Sequence, residues 1–339
     1  MNILLTSAGR RSYLVSYFKQ ALGGEGLIYA SNSEYTSALQ VADEYVLTPL
    51  IYDMNYVQFL LDYAKKNNID AILPLFDIDL PILAKSKDIF ARQGIQVIVS
   101  NYEVTQICND KWKTYQFFKE HNIATPETFL DLVSACGAID DKEIKYPLII
   151  KPRWGMGSIG VHSAETKEEL LFFYNKTKDD VFKSYLSFES EIDHEHCVLI
   201  QEKIVGKEYS LDIINDLEAN FVTTFVKRKI AMRSGETDIA VTEDNSQIFT
   251  LGQSVSKRLR HIANLDADVF MKDGKAYVLE LNCRFGGGYP FSHLAGANLP
   301  LAIIKWLKNK SADDELFQVK FGILGTKEIN PIILNKEHD

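Results

Sequence analysis

Residues 268–288 read Asp-Val-Phe-Met-Lys-Asp-Gly-Lys-Ala-Tyr-Val-Leu-Glu-Leu-Asn-Cys-Arg-Phe-Gly-Gly-Gly. Two apolar runs flank Lys272-Asp273-Gly274-Lys275, and Asp-Gly between such runs is a strong hairpin signal. Side chains alternate along a strand, so Asp268, Phe270 and Lys272 fall on one face. On the return strand Tyr277, Leu279 and Leu281 point one way and Val278, Glu280 and Asn282 the other. Asp268, Glu280 and Asn282 can therefore converge, and three oxygen-bearing side chains at one spot suit a hard cation such as Mg²⁺. Arg284 continues the same face and Gly286 to Gly288 follow. A guanidinium and bare backbone beside oxygen ligands suit phosphate together with metal. A surface hairpin with solvated charges carries the same pattern, so the reading depends on partners elsewhere in the chain.

The chain has 339 residues, enough for two or three domains, and its 46% apolar and 24% charged content fits a globular protein. A net charge of −9 argues against a dedicated nucleic-acid binder. Cys108, Cys136, Cys197 and Cys283 form no CxxC pair, which predicts neither a zinc site nor a disulfide framework. The first residues turn polar too soon for a signal peptide, and no apolar run approaches a membrane span. A reducing, cytoplasmic location with no membrane partner is the default expectation.

Residues 1–125 alternate strand and helix, and this predicts a parallel sheet covered by helices. The turn at Gly9 after the first strand lacks the Gly-x-Gly-x-x-Gly spacing of a dinucleotide site, because Arg10 and Arg11 follow at once. The two arginines are either an anion contact at the carboxyl end of the strands or solvated helix residues. Asp77 and Asp79, after the strand ending near Leu75, either contact substrate or cap the next helix. Asp110 is placed to cap a helix that begins at Lys111. A lysine in the first turn opposes the helix dipole unless an anion binds there, although an exposed surface lysine is tolerated at such a position.

Residues 147–152 form a β-rich run ending in Lys151-Pro152, and Arg153-Trp154-Gly155-Met156-Gly157-Ser158-Ile159-Gly160 follows. A loop with this many glycines can bring N–H groups against phosphate oxygens, with Lys151 beside it as a point charge. It is not a Walker loop, since the Gly-Lys-[Ser/Thr] ending is absent. Further on, Gln201-Glu202-Lys203-Ile204 lies between two strands and offers backbone groups for an adenine edge, although Glu202 and Lys203 read equally well as edge-strand charges. Glu208 starts the returning strand, where it could hold ribose hydroxyls or serve as an edge-strand charge. Lys227-Arg228-Lys229 and Arg233 form a dense basic cluster, read as a contact for an anionic substrate or as a solvated loop. The His residues show no metal-ligand spacing.

Taken together the pieces resemble the ATP-grasp superfamily, in order, over almost the whole chain. The flap Gly155 to Val161 and the tail Glu280-Leu281-Asn282-Cys283-Arg284-Phe285-Gly286-Gly287 look most like stand-alone ligases related to the carbamoyl phosphate synthetase large subunit. One departure is Asp268, where many such proteins carry Glu. The resemblance implies an α/β and α+β chain: an N-terminal parallel-sheet (pre-ATP-grasp) domain over residues 1–109 and an ATP-grasp domain over 110–330. The latter would comprise a flap subdomain over about 125–200 and a metal and nucleotide subdomain over about 201–330. It implies ATP with Mg²⁺, or alternatively Mn²⁺, held at Asp268, Glu280 and Asn282. Lys111, Lys151, Gly155, Gly157 and Ser158 would hold phosphates, Gln201 to Ile204 adenine, and Glu208 ribose. Arg284 and Arg233 would be catalytic. The implied reaction joins a carboxylate to an amine through an acyl phosphate. The competing readings are a small-molecule kinase and a non-catalytic nucleotide-binding regulator. Relatives of this type are often homodimers. Which carboxylate and amine are used is outside the reach of these residues.

Overall fold

The computed structural model describes residues 1–157 and 159–334. Its first part is a five-stranded parallel sheet of β1 (Ile3–Thr6), β2 (Ile28–Asn32), β3 (Glu44–Leu47), β4 (Ala71–Pro74) and β5 (Gln96–Val97), in the order β3-β2-β1-β4-β5. Helices connect the strands: α1 (Ser12–Leu22), the short α2 (Ser37–Val41), α3 (Tyr56–Lys66) and α4 (Asp79–Ala91). The amphipathic spacing explains them. Leu14, Val15, Phe18 and Leu22 form the buried stripe of α1, and Tyr56, Leu60, Leu61 and Ala64 that of α3. The strand order reverses direction between β1 and β4, so their carboxyl ends open a crevice.

Asp79 closes the turn at the floor of that crevice. It accepts from Thr6 Oγ1 at 2.6 Å, Ser7 Oγ at 3.0 Å and Tyr56 Oη at 2.9 Å. It neither caps α4 nor faces the crevice, so both readings offered for it give way to a structural one. Burial pushes its carboxyl up to about 6, while the three hydroxyls oppose the shift.

Helices α5 (Tyr102–Asn109) and α6 (Lys111–Glu120) lead into the second part. A four-stranded sheet holds β6 (Thr128–Phe129), β7 (Leu148–Pro152), β8 (His162–Ala164) and β9 (Val198–Glu202), in the order β6-β9-β7-β8. Helices α7 (Leu132–Asp140), α8 (Lys167–Phe182) and α9 (Ser187–Ser190) belong with it. The last sheet, in the order β14-β13-β10-β11-β12-β15, contains β10 (Lys207–Asn215), β11 (Phe221–Arg233), β12 (Glu236–Thr242), β13 (Ala263–Lys272), β14 (Lys275–Asn282) and β15 (Leu324–Thr326). Helix α10 (Ser246–Leu259) packs on β10 and β11.

Hydrophobic packing runs without a break from the parallel sheet into the six-stranded sheet. Leu4, Ile72 and Leu83 share one cluster with Leu211, Leu265 and Val278. Phe18 meets Phe285 edge-on, ring centres 6.0 Å apart. The four-stranded unit has its own core around Leu148, Ile150, Trp154, Leu170 and Cys197. Arg284 adds a polar latch to the first junction. Its guanidinium lies 3.0 Å from Asp77 of the parallel-sheet domain and 3.1 Å from Asp266 of β13, and all three side chains are largely buried. Asp77, read as a substrate contact or a cap, is a partner of Arg284.

Two outcomes follow. Replacing Arg284 with Met leaves two facing carboxylates without a cation, so unfolding free energy falls by about 3 kcal/mol, and Asp77→Asn in that background restores part of it. Urea midpoints measure both. Separately, His261 is buried, with Nε2 2.9 Å from the carbonyl of Ile213 and no partner for Nδ1 among the described residues. Burial holds it down to about 4, below the ordinary 6.5. The unfolded chain thus binds its proton first, and this contribution to stability is lost as pH falls from 6.5 towards 4. At pH 5 the loss is about 2 kcal/mol relative to pH 7, and the slope of stability against pH over that range is shallower in His261→Gln.

Candidate functional site

The hairpin of β13 and β14 pairs Asp266 with Asn282 and Asp268 with Glu280, and then shifts so that Val269 pairs with Val278. Leu279 is the extra residue of a bulge. The shift turns Val278 into the core opposite Val269 and leaves Leu279 beside Glu280 on the open face. Strict alternation, which grouped Val278 with Glu280 and Leu279 with Leu281, fails at this point. The convergence of Asp268 and Glu280 survives because the bulge lies beyond them. Asp266 stands on the same face, two residues before the stretch from which the site was read.

A cleft of about 310 Å³ lies between this hairpin and the four-stranded unit. Lys111, Lys151, Gly155, Gly157, Gln201, Glu202, Lys203, Ile204, Glu208, Asp268 and Glu280 all line it, together with Phe270, Leu279, Met232 and Gly235. Ser158 lies outside the described residues. Asn282, opposite Asp266 on the hairpin, and Arg284 are outside the lining, and Arg284 turns to Asp77 of the parallel-sheet domain.

The roof is the loop between β7 and β8. Gly155 has φ 123°, a conformation that L side chains rarely adopt. The turn between β11 and β12 presses on this loop so closely that a Cβ on Gly235 would lie 2.3 Å from the carbonyl oxygen of Gly157. Lys111 donates to the carbonyl of Gly155 and so ties the start of α6 to the roof. Asp110 caps α6 through Trp112 N at 2.9 Å and also accepts from Arg153 Nε at 2.8 Å and Nη2 at 2.7 Å. Sequence reading missed Arg153, whose guanidinium also stacks 4.4 Å over the Trp154 ring.

Lys151 is buried at the end of β7, where Nζ donates to Gln201 Oε1 at 2.8 Å. Gln201 in turn donates to Thr128 Oγ1 at 2.8 Å. Its side chain therefore orients a lysine. Burial lowers the Lys151 ammonium to about 8. Lys111 pushes the same way, and Glu280 and Asp268 oppose. At the end of β9, Glu202 spends its N–H on the carbonyl of Glu127 at 2.8 Å, and the N–H of Ile204 has no acceptor among the described residues.

The basic cluster lies on β11 rather than in a loop. Lys227 is wholly buried against Asp212 and Ser292, and Arg228 pairs with Glu243. Arg233 pairs with Asp238 at 2.8 Å and is 45% exposed. Of the four cations, Lys229 is the one at the cleft carboxylates, 2.7 Å from both Glu208 and Asp268. Those two acids hold its ammonium above the ordinary range despite burial.

Asp268, 20% exposed, is pushed up to about 7, first by burial and then by Asp266 and Glu280, with Lys229 opposing. Glu280 behaves differently. Burial raises its carboxyl, but Lys111, Lys151, Lys229 and Arg284 together outweigh it, and the net shift is downward. It makes no hydrogen bond or ion pair with another described residue. The result is an ionised carboxylate, open to the cleft and surrounded by cations at longer range. Burial raises the carboxyl of Glu236, but Lys327 outweighs it, with Arg11 and Arg10 adding to the downward shift at longer range; neither arginine side chain has a direct pair among the described residues.

Residues 3–98 match the PylC-like N-terminal domain family, and residues 108–288 match the ATP-grasp domain family. The carbamoyl phosphate synthase large chain of Pseudothermotoga lettingae is 25% identical over 297 residues, which cover 84% of this chain and 25% of that one. The chain thus spans about a quarter of that relative's length. Carbamoyl-phosphate synthase of Methanobrevibacter smithii is 27% identical over 288 residues, 80% of this chain and 71% of that one. Among solved structures, the biotin carboxylase domain of Hydrogenobacter thermophilus 2-oxoglutarate carboxylase, in complex with MgADP and bicarbonate, has a TM-score of 0.74 at 17% identity, covering 95% of this chain and 73% of that one. The L-amino acid ligase of Bacillus licheniformis has a TM-score of 0.70 at 17% identity, covering 91% and 75%. These structural likenesses are of fold. With the parallel sheet, the two antiparallel sheets, the cleft between them and a family match over more than half of its residues, the chain belongs to the ATP-grasp family.

Proposed function

We propose that the chain is an ADP-forming ligase that joins a carboxylate to an amine through an acyl phosphate. The observation that carries this reading is Glu280. It is an ionised carboxylate without a direct partner among the described residues, facing Asp268 across the strands and overlooked by Lys111 and Lys151. A carboxylate left open in a cation-rich cleft suits an ion that arrives with a polyphosphate.

The donor set fits Mg²⁺. Asp268 and Glu280 offer carboxylates from adjacent strands and Asn282 an amide oxygen, all hard ligands. When bound, the metal supplies charge neutralisation on the phosphates. The chain's own residues do the rest. Lys111 and Lys151 hold phosphate oxygens from the roof side, with the N–H groups around Gly155 and Gly157. The free N–H of Ile204 meets the adenine edge, and Glu208 keeps one oxygen for ribose beyond its bond to Lys229. Arg10 and Arg11, at the crevice over β1 and β4, receive the substrate carboxylate.

The carboxylate oxygen then attacks the terminal phosphorus of ATP as the bond to the β-phosphate oxygen breaks, giving acyl phosphate and ADP. The ammonium form of the amine first cedes a proton to water; the free amine then attacks the acyl carbon, a C–N bond forms, phosphate leaves with the bonding pair, and that phosphate takes the second N–H proton. Lys229 places positive charge beside the transferring group, and Arg284, outside the lining, positions Asp266. Arg233, turned to Asp238, has no part in this scheme, and Lys229 takes its place. The fold neighbour bound to MgADP and bicarbonate supports a nucleotide, a magnesium ion and a carboxylate-like anion as the classes of ligand.

The test is ADP release across paired carboxylates and amines, with products identified by mass. For the active pair, Glu280→Gln and Lys151→Ala each lower amine-dependent release at least about 100-fold. Unchanged release in both variants refutes the site. A phosphorylated product that persists without amine makes the protein a kinase, and nucleotide binding with no turnover on any pair makes it a regulator.

A further inference from the structure

A second cavity, of about 370 Å³, lies between the parallel-sheet domain and the four-stranded unit. Its volume is within the range of small-molecule sites. Tyr52 and Ile82 come from the first side, and Trp154, Phe188 and Ile192 from the second. Trp154 also walls the cleft described above, so the two spaces are neighbours. Tyr52 and Phe188 stack across the domain seam, ring centres 3.4 Å apart and planes 21° apart.

Glu189 lines this apolar space and is only 6% exposed. Its Oε1 accepts from Asn109 Nδ2 at 2.5 Å, while its Oε2 is buried with no partner among the described residues. The hydroxyl of Tyr52 is also buried, with no partner among the described residues. A buried acceptor without a donor costs about 1–3 kcal/mol, and more when charged. The other charges around the cavity are accounted for. Asp110 is committed to Arg153 and to the cap of α6. Asp53 is exposed and caps the N–H of Asn55 at 2.8 Å. Lys85 lies at the exposed rim, 4.4 Å over the ring of Tyr102. The interior therefore presents one open carboxylate oxygen, one hydroxyl and aromatic faces. An ammonium group supplies the missing donors, and the aromatic faces favour a cation.

We infer that this cavity is the docking site of the amine substrate, an organic ammonium compound with an apolar body, held by Glu189 Oε2 and Tyr52 Oη and covered by Phe188. The statement that the bound amine is a substrate rests on the ligase reading, whereas the binding itself does not. Asn109 positions the carboxylate. Phe188, 53% exposed on the four-residue α9, forms the outer wall and is removable without opening the core.

Calorimetry on the whole chain without nucleotide tests the binding. The probes are phenethylamine, isoamylamine and 1,5-diaminopentane as ammonium compounds, and 3-phenylpropionate as a carboxylate with the body of the first. At least one ammonium probe binds at millimolar concentration or below, and 3-phenylpropionate does not. Affinity for that amine falls at least about tenfold in the isosteric Glu189→Gln and in Phe188→Ala. Equal affinity in Glu189→Gln, preference for 3-phenylpropionate, or no heat with any amine overturns the proposal. Amine binding that persists in a protein showing no amine-dependent ADP release supports the site and removes the ligase reading. Release that continues at full rate in Glu189→Gln removes the site and keeps the ligase.

Discussion

The guanidinium of Arg284 is the point on which the two larger parts of the molecule meet. It follows the end of β14 in the cleft hairpin, yet one of its partners, Asp77, belongs to the loop after β4 of the other domain. The second, Asp266, lies on β13 just before the cleft carboxylates. Burying three charges costs several kcal/mol per ion before any gain, so such a triad is tolerable only when the geometry satisfies all three. The chain arranges this with backbone. A Cβ on Gly286 would sit 2.1 Å from the carboxyl carbon of Asp266, so the tail loop must be bare there. The glycines after Arg284 are thus accounted for in part by packing against a carboxylate, apart from any ligand.

That junction sets the electrostatics of the cleft. Lys229 ties Glu208 to Asp268, and Arg284 ties Asp266 to Asp77. Four carboxylates thereby share two cations, and Glu280 is the cleft carboxylate left without a direct partner among the described residues. Lys111 and Lys151 are held by neutral acceptors, a carbonyl and an amide, so their charge is not cancelled by a paired acid. The cleft is strongly polarised, with ammonium groups on its roof and a bare carboxylate on its floor.

Much of this was legible from local pattern. The Asp-Gly turn and the alternation around it placed Asp268 and Glu280 together, and strand–helix alternation gave the parallel sheet. The N-cap at Asp110 also followed from a short-range rule. What failed depended on distant partners. The bulge at Leu279 arises because Val278 packs against Val269 in the core, which no local pattern reports. The charges from Lys227 on could be read as a solvated loop, yet β11 runs on to Arg233, with Lys227 paired to Asp212 on a neighbouring strand. Without that continuation there was no way to tell which cation turned inward. Asp266 did leave a signal, since alternation puts it on the face of Asp268. Asp79 left none, because its three hydroxyl partners come from β1, the turn after it and α3. The strand β3 and helix α2 went unread because both are short and β3 is largely exposed.

The division of the interior into a shared core and a private one gives the molecule the mechanics of a frame with a jaw. The parallel and six-stranded sheets are welded by side chains from both, and form the frame. The four-stranded unit keeps a core of its own and meets the rest through the Tyr52–Phe188 stack and the Asn109–Glu189 and Asp110–Arg153 bonds. Lys151 belongs to this jaw, and Asp268 and Glu280 belong to the frame. Charge of opposite sign thus faces across the mouth, so a polyanion lodged between them would meet the ammonium of Lys151 on one part and the open carboxylate of Glu280 on the other.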